Sequence, residues 1–99
     1  MINFFKVLAN EHRIEILRLL KNPREHFPLE KIEPEVDDFG VCSCLFEDKL
    51  GLSQSTTSNY LSSLEKNNLL IKTRIGQWSY YKRNEKIISD LSNIIMTNL

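Results

Sequence analysis

Two cysteines stand two residues apart in the run Gly40-Val41-Cys42-Ser43-Cys44, and they are the only thiols in the 99 residues. A thiolate pair at that spacing can hold a soft metal or metalloid ion. It can also cycle between dithiol, persulfide and disulfide, or simply supply two small buried residues. Residues i and i+2 of a regular helix point about 200° apart, so both sulfurs meet one ion only if Cys42 precedes the helix holding Cys44. Ser43 as an N-cap places them so. The two imidazoles, His12 and His26, are far apart, and a lone histidine is more often packed than a ligand. With no nucleophile–base pairing, no phosphate-binding glycine loop and no full metal-ligand set, an enzyme is not expected.

A second chemistry is hydrogen bonding. Ser53, Gln54, Ser55, Thr56, Ser58 and Asn59 crowd one short segment. On a helix, Gln54, Ser55, Ser58 and Asn59 suit base edges in a major groove, where donors and acceptors spell sequence. Ser53 and Thr56, at the helix N-terminus, suit phosphate. Lys72, Arg74, Lys82 and Arg83 follow on a hairpin and suit phosphates without reading sequence. Polar residues also cover solvated helix faces everywhere, so the pattern counts only together. Trp78, Tyr80 and Tyr81 alternate faces, with at least one in the core and one free to sit outside.

Net charge is +0, but it is unevenly spread. Residues 25–48 hold Glu25, Glu30, Glu33, Glu35, Asp37, Asp38, Glu47 and Asp48 against Lys31, about −7. Residues 49–88 hold Lys49, Lys66, Lys72, Arg74, Lys82, Arg83 and Lys86 against Glu65 and Glu85, about +5. Local field rather than net charge steers a phosphate backbone. The acidic stretch could bind a hard cation, fold against the basic hairpin or mimic DNA charge.

The elements that must position these groups follow from periodicity. Ile2, Phe4, Phe5 and Leu8 predict a short first helix, apolar nearly all round. Asn10 caps a second helix carrying Ile14, Ile16, Leu17 and Leu20, stopped by Pro23. Residues 22–41, with Pro23, Pro28, Pro34 and Gly40, read as a long acidic loop. Cys44 to Leu50 forms a third helix ended by Gly51. Ser53 caps a fourth over roughly 54–66, with Thr57, Tyr60, Leu61 and Leu64 inward. Leu69–Ile75 and Trp78–Arg83 are strands joined at Gly76-Gln77. Residues 84–99 make a last helix striped by Ile87, Ile88, Leu91, Ile94, Ile95 and Leu99. The expected fold is one mainly α (α+β) domain over 1–99, a winged helix-turn-helix in the order ααααββα.

That order resembles the ArsR/SmtB family of small winged-helix repressors. FKVLANEHRIEILRLL is similar to the family's opening through Leu8, Arg13, Ile16, Leu17 and Leu20. KLGLSQSTTSNYLSSLEKNNLL resembles its helix-turn-helix, and RIGQWSYYKR its wing. Ser55 replaces a common proline, Tyr60 a common histidine and Asn68 a common glycine. The resemblance implies a homodimer formed by the first and last helices, and the stripes Ile2, Phe4, Phe5, Leu8 and Ile87, Leu91, Ile94, Ile95 independently exceed what the core needs. It implies double-stranded operator DNA with two half-sites about one helical turn apart. Arsenic-sensing members carry C-x-C here with a third cysteine three residues on, where this chain has Glu47. The zinc and cobalt site of the last helix needs histidine, absent after His26.

The expected function is a sequence-specific repressor, with derepression by a thiol-bound metal or metalloid, or by thiol oxidation, at Cys42 and Cys44. No cofactor is certain. The rival class is a winged-helix adaptor for protein–protein contact without inducer sensing. No apolar run nears the roughly 20 residues of a membrane span, and MINFFKVLAN is too quickly polar for a secretory signal. A cytoplasmic protein is expected.

Overall fold

The computed structural model describes residues 2–32 and 34–99, without the side chains of Ile2 and Leu29. The expectations for the Ile2 side chain and for Glu33 therefore lie outside the described residues. Helix α1 spans Ile2–Leu8 and α2 spans Glu11–Lys21. Asn10 between them is extended, and its Oδ1 accepts from the backbone N–H of His12 at 3.0 Å and Arg13 at 3.1 Å. Two of the four orphan donors of α2 are thereby satisfied. Arg13 donates through Nε to Val7 O at 2.7 Å, capping α1 from α2.

The long loop expected over 22–41 is instead a chain of short elements. Pro23 ends α2 and then opens α3, Pro23–His26, in the first turn, where its missing N–H costs nothing. A single 3-10 turn at Leu29–Lys31 leads to α4, Val36–Phe39, and then β1, Val41–Cys42. Phe27, Val36 and Val41 drop into the core and pin the segment at three points. Phe27 meets Phe46 edge-on at 5.3 Å between ring centroids. The segment folds against the hairpin: Phe39 packs on Tyr80 at 4.6 Å between ring centroids, and Lys82 Nζ donates to the backbone carbonyl of Asp38 at 2.8 Å.

Helix α5, Cys44–Leu50, ends at Gly51, which is left-handed (φ 67°) and returns its N–H to Glu47 O. Ser43 precedes α5 but is itself helical and makes no side-chain cap, contrary to expectation. Helix α6 spans Gln54–Lys66, buries Thr57, Leu61 and Leu64, and leaves Tyr60 half-buried against His12. Asn68 follows at φ 63°, a left-handed position that asparagine tolerates, which explains why it can stand where glycine is common. Strands β2, Leu70–Ile75, and β3, Trp78–Arg83, turn at Gly76-Gln77 as expected.

The sheet has three strands in the order β1-β3-β2, all antiparallel, so the hairpin gains a partner that the periodicity did not announce. Val41 lies opposite Tyr81 and Cys42 opposite Tyr80. Gly40 makes the approach possible. Its φ is 94°, and a Cβ there would overlap the carbonyl of Tyr81.

Helix α7, Glu85–Asn98, starts at Asn84, whose Oδ1 accepts from Ile87 N–H. Leu91 is buried within this chain, and Ile87 and Ile88 pack half-buried on its core. Phe4 and Leu8 of α1 pack there likewise. Phe5, Ile94, Met96 and Leu99 stay outside, the last two 81% and 86% exposed. The apolar stripe expected to form the dimer is thus divided, part of it core and part of it free.

Gly40→Ala should destabilise the domain by roughly 2 kcal/mol or more, because overlap with Tyr81 adds to the left-handed cost. Gly76→Ala, with φ 62° but open space around it, should lose only about 1 kcal/mol. Urea denaturation of both variants checks the difference.

Candidate nucleic-acid interface

The N-terminus of α6 is organised by one hydroxyl. Ser53 is extended, and its Oγ accepts the N–H of Thr56 at 3.2 Å while donating to Thr56 Oγ1 at 2.9 Å. Capping thus commits the Ser53 hydroxyl, while Thr56 keeps its own proton to donate outward. The first backbone N–H groups of α6 remain the anion-attracting end of a 13-residue helix. Gln54, Ser55, Ser58 and Asn59 are all exposed, whereas Thr57 and Leu61 turn inward. The expected division of the helix into a core face and a hydrogen-bonding face is what the structure has.

Pairing sets which hairpin residues accompany that face. Lys72 lies opposite Tyr81 and Arg74 opposite Ser79. Directly opposed residues share a face, and so do residues two apart. Lys72, Arg74, Gln77, Ser79 and Tyr81 therefore form one side of the ribbon. That side and α6 bound a groove of about 310 Å³, lined also by Gln54, Ser58, Glu47, Cys44 and Trp78. Thr57 lies on its floor, 2% exposed, and its hydroxyl has no hydrogen-bond partner among the described residues. The groove sets two cations facing a row of short polar side chains, which suits a phosphate backbone beside a base edge.

Lys82 and Arg83 are at the other end of the ribbon. Besides the bond from Lys82 to Asp38, Arg83 donates to Leu17 O at 3.3 Å through Nη1 and to Glu85 Oε1 at 3.1 Å through Nη2. These two residues fasten the hairpin's base to α2, α4 and α7, so the structure does not bring them together with Lys72 and Arg74. Their position at the C-terminal end of β3, beside the start of α7, was the signal for this. Gln77, Ser79 and Glu47 were not singled out from sequence. Strand alternation from Lys72 and Arg74 would have found the first two.

Cys42 ends β1 and Cys44 begins α5, so the first thiol does lie before the helix. Cys44 Sγ donates to Cys42 Sγ at 2.9 Å. Cys44 is exposed and Cys42 half-buried, so they are not two small core residues. The Cys44 thiol is pushed up to about 11, by burial first, then by its hydrogen bond to Cys42 and the charges of Cys42 and Glu47. The N–H of Ser43, between them, bonds to Ser79 O of the hairpin at 2.9 Å. The pair is therefore wired to the wing strand on one side and to the groove on the other. Among the described residues, no three His, Cys, Asp or Glu side chains gather to hold a metal. Two sulfurs alone do not make the trigonal set that a metalloid takes, so the donors present do not fit such a site within one chain.

No protein-family model matches the chain. It is 42% identical over 99 residues to the uncharacterized HTH-type transcriptional regulator YbzH of Bacillus subtilis, covering 97% of that protein. It is 31% identical over 84 residues to the putative arsenical resistance operon repressor ArsR2 of Halobacterium salinarum, 85% of this chain but 59% of that protein. Among solved structures it is similar to Mb0332 from Mycobacterium bovis, described as a homodimeric winged helix-turn-helix DNA-binding domain and a possible ArsR-family regulator. There the identity is 21% and the TM-score 0.63, over 96% of this chain and 73% of that one.

With its proton held to about pH 11, Cys44 should alkylate slowly at neutral pH. Its iodoacetamide rate should rise about tenfold per pH unit through the alkaline range, following the thiolate fraction. Peptide mapping by mass spectrometry reads it at this residue alone. A rate that levels off near pH 8 would contradict the arrangement.

Proposed function

The chain belongs to the HTH-type transcriptional regulators, and from that premise we propose that it is a cytoplasmic repressor of the ArsR/SmtB type that reads operator DNA as a homodimer and is released by thiol oxidation. Its relatives are regulators of transcription, and it is a regulator rather than an enzyme. The observation that carries the DNA reading is the groove in which Lys72 and Arg74 face the polar side of α6. Helix α6 enters the major groove, where Gln54 and Asn59 can each pair bidentately with adenine and Ser55 and Ser58 add single bonds. The N-terminus of α6 takes a phosphate through backbone N–H groups and the Thr56 hydroxyl. Lys72 and Arg74 hold phosphates from the wing, while Lys82 and Arg83 keep the wing's base in place.

The exposed apolar face of Phe5, Ile94, Met96 and Leu99 supports dimerisation through α1 and α7. A two-fold dimer of this kind presents two α6 helices to half-sites about one turn, or 34 Å, apart. The 2.9 Å approach of the two sulfurs supports an oxidative input over a metalloid one. Cys42 attacks the oxidant first, because the Cys44 thiol stays protonated at neutral pH. An oxidant such as a peroxide or a low-molecular-weight disulfide would take two electrons while Cys42 and Cys44 lose two protons and form a disulfide. The new bond would draw the end of β1 and the start of α5 together, shifting α5 and the wing strand that flank the reading helix.

Fluorescence anisotropy with the duplex upstream of the protein's own gene tests the reading. With about six phosphates neutralised per dimer, log K should fall against log salt with a slope near −5. Gln54→Ala or Asn59→Ala should reduce discrimination between operator and scrambled duplex by about 1–3 kcal/mol. No binding at low salt would favour a protein-binding adaptor instead. Adding peroxide should weaken binding for the wild type and leave the Cys42→Ser, Cys44→Ser double variant unaffected; an equal response from both would remove the thiol input.

A further inference from the structure

A second cleft opens at the base of the hairpin, on the ribbon face turned away from the polar side of α6. Its volume is about 440 Å³, a size usual for small-molecule sites. Ile71 lies opposite Lys82, one step along the register from Lys72 and Tyr81, so this pair points away from the first groove. The end of α2, helix α4 and the start of α7 close the cleft around them. Phe5, Ile94, Met96 and Leu99 do not line it, so it is also separate from the face assigned to dimerisation.

Two chemistries meet in its wall. The side chains of Leu20, Pro23, Val36 and Ile71 offer only carbon, and Ile71 is left 39% exposed. Beside them stand Lys21, Lys82, Arg83 and Lys86 against Asp37 and Glu85, four cations to two carboxylates. Both carboxylates are already shared, Asp37 with Arg24 at 3.4 Å and Glu85 with Arg83 at 3.0 Å. Lys21 ends α2 exposed, and its side chain makes no ion pair among the described residues. Lys86 pairs only with Asp90, in a bond so exposed that water screens it. Arg83 is fixed by Leu17 O and Glu85 with its side chain 14% exposed, so its charge is held in place and weakly screened.

We propose that this cleft binds a small amphipathic carboxylate, its head among Lys21, Arg83 and Lys86 and its tail across Pro23 and Ile71. An inorganic anion would meet the cations but leave the carbon wall wet. A neutral apolar molecule would cover the wall but leave the surplus positive charge unpaired. A carboxylate with an apolar body does both, and its two oxygens can accept from a guanidinium and an ammonium at once. Bound there, it bridges α2, the hairpin and α7, the same elements that Arg83 ties together. The site stands whether or not the chain reads DNA.

Titration of isotope-labelled protein with octanoate, followed by amide NMR shifts, tests the site. Shifts should gather at the end of α2, from Val36 to Gly40, at Ile71 and across the start of α7, and their dose dependence gives the affinity. Lys21→Gln should weaken binding about tenfold, the scale of one charge-assisted bond. Ile71→Ser should weaken it by about the same factor, through lost apolar cover. Lys66→Gln removes the same charge at the end of α6, outside the cleft, and should bind as the wild type. The spectrum of each variant without ligand shows that it is folded. Octanol and inorganic phosphate each offer half of the chemistry and should bind at least about tenfold more weakly than octanoate. Shifts centred instead on Phe5, Ile94, Met96 and Leu99 would place the ligand on the exposed apolar face and overturn the assignment. Octanol or phosphate binding as tightly as octanoate, unchanged affinity of Lys21→Gln, or no shift at millimolar octanoate would overturn it too.

Discussion

The close approach of Gly40 to the carbonyl of Tyr81 is the contact on which the arrangement turns. It lets two residues of β1 pair with the wing strand, and everything functional hangs from that short ladder. Val41 reaches the core through it, Cys42 is held opposite Tyr80, and Ser43 bonds to Ser79 before Cys44 opens α5. A side chain at residue 40 would push the thiol pair, the first helix of the helix-turn-helix and the wing away from each other. The same backbone thus holds the thiol pair, α5 and the wing strand in one short ladder.

Much of this was legible in the sequence, for physical reasons that differ by element. The caps at Asn10 and Ser53, the left-handed Gly51 and the turn at Gly76 announce themselves because each is a local requirement of backbone chemistry. Helix α6 was legible because its two faces differ so sharply in polarity. The stretch from Asn22 to Val41 was not, because its three prolines and many acids mask a sparse pattern of anchors. Phe27, Val36 and Val41 are too far apart for any single period, and only the tertiary fold shows that they share one core.

Charge was the least reliable guide within the site. Lys72, Arg74, Lys82 and Arg83 look equivalent as a sequence, yet the ribbon separates them by its length. The first two project beside α6, whereas the last two hold carbonyls of Asp38 and Leu17. A cation that satisfies a backbone oxygen is structural in effect, whatever its composition suggests. The same division runs through the apolar stripe of α7, where Leu91 belongs to the core and Ile94, Met96 and Leu99 stay exposed.

With the acidic segment folded against the wing's base and Lys72 and Arg74 beyond it on the other side of the ribbon, charge is unevenly spread over a molecule of zero net charge. A neutral dipole is pulled towards a polyanion far more weakly at long range than a basic protein, and it is turned before it is pulled. Within a Debye length of about 8 Å the torque matters most, so a polyanion would draw the side carrying Lys72 and Arg74 towards itself while the acids turn away. Such a protein gains orientation instead of capture radius. It collides with DNA no more often than a neutral body would, but arrives with the correct side forward, and leaves wrongly presented contacts quickly.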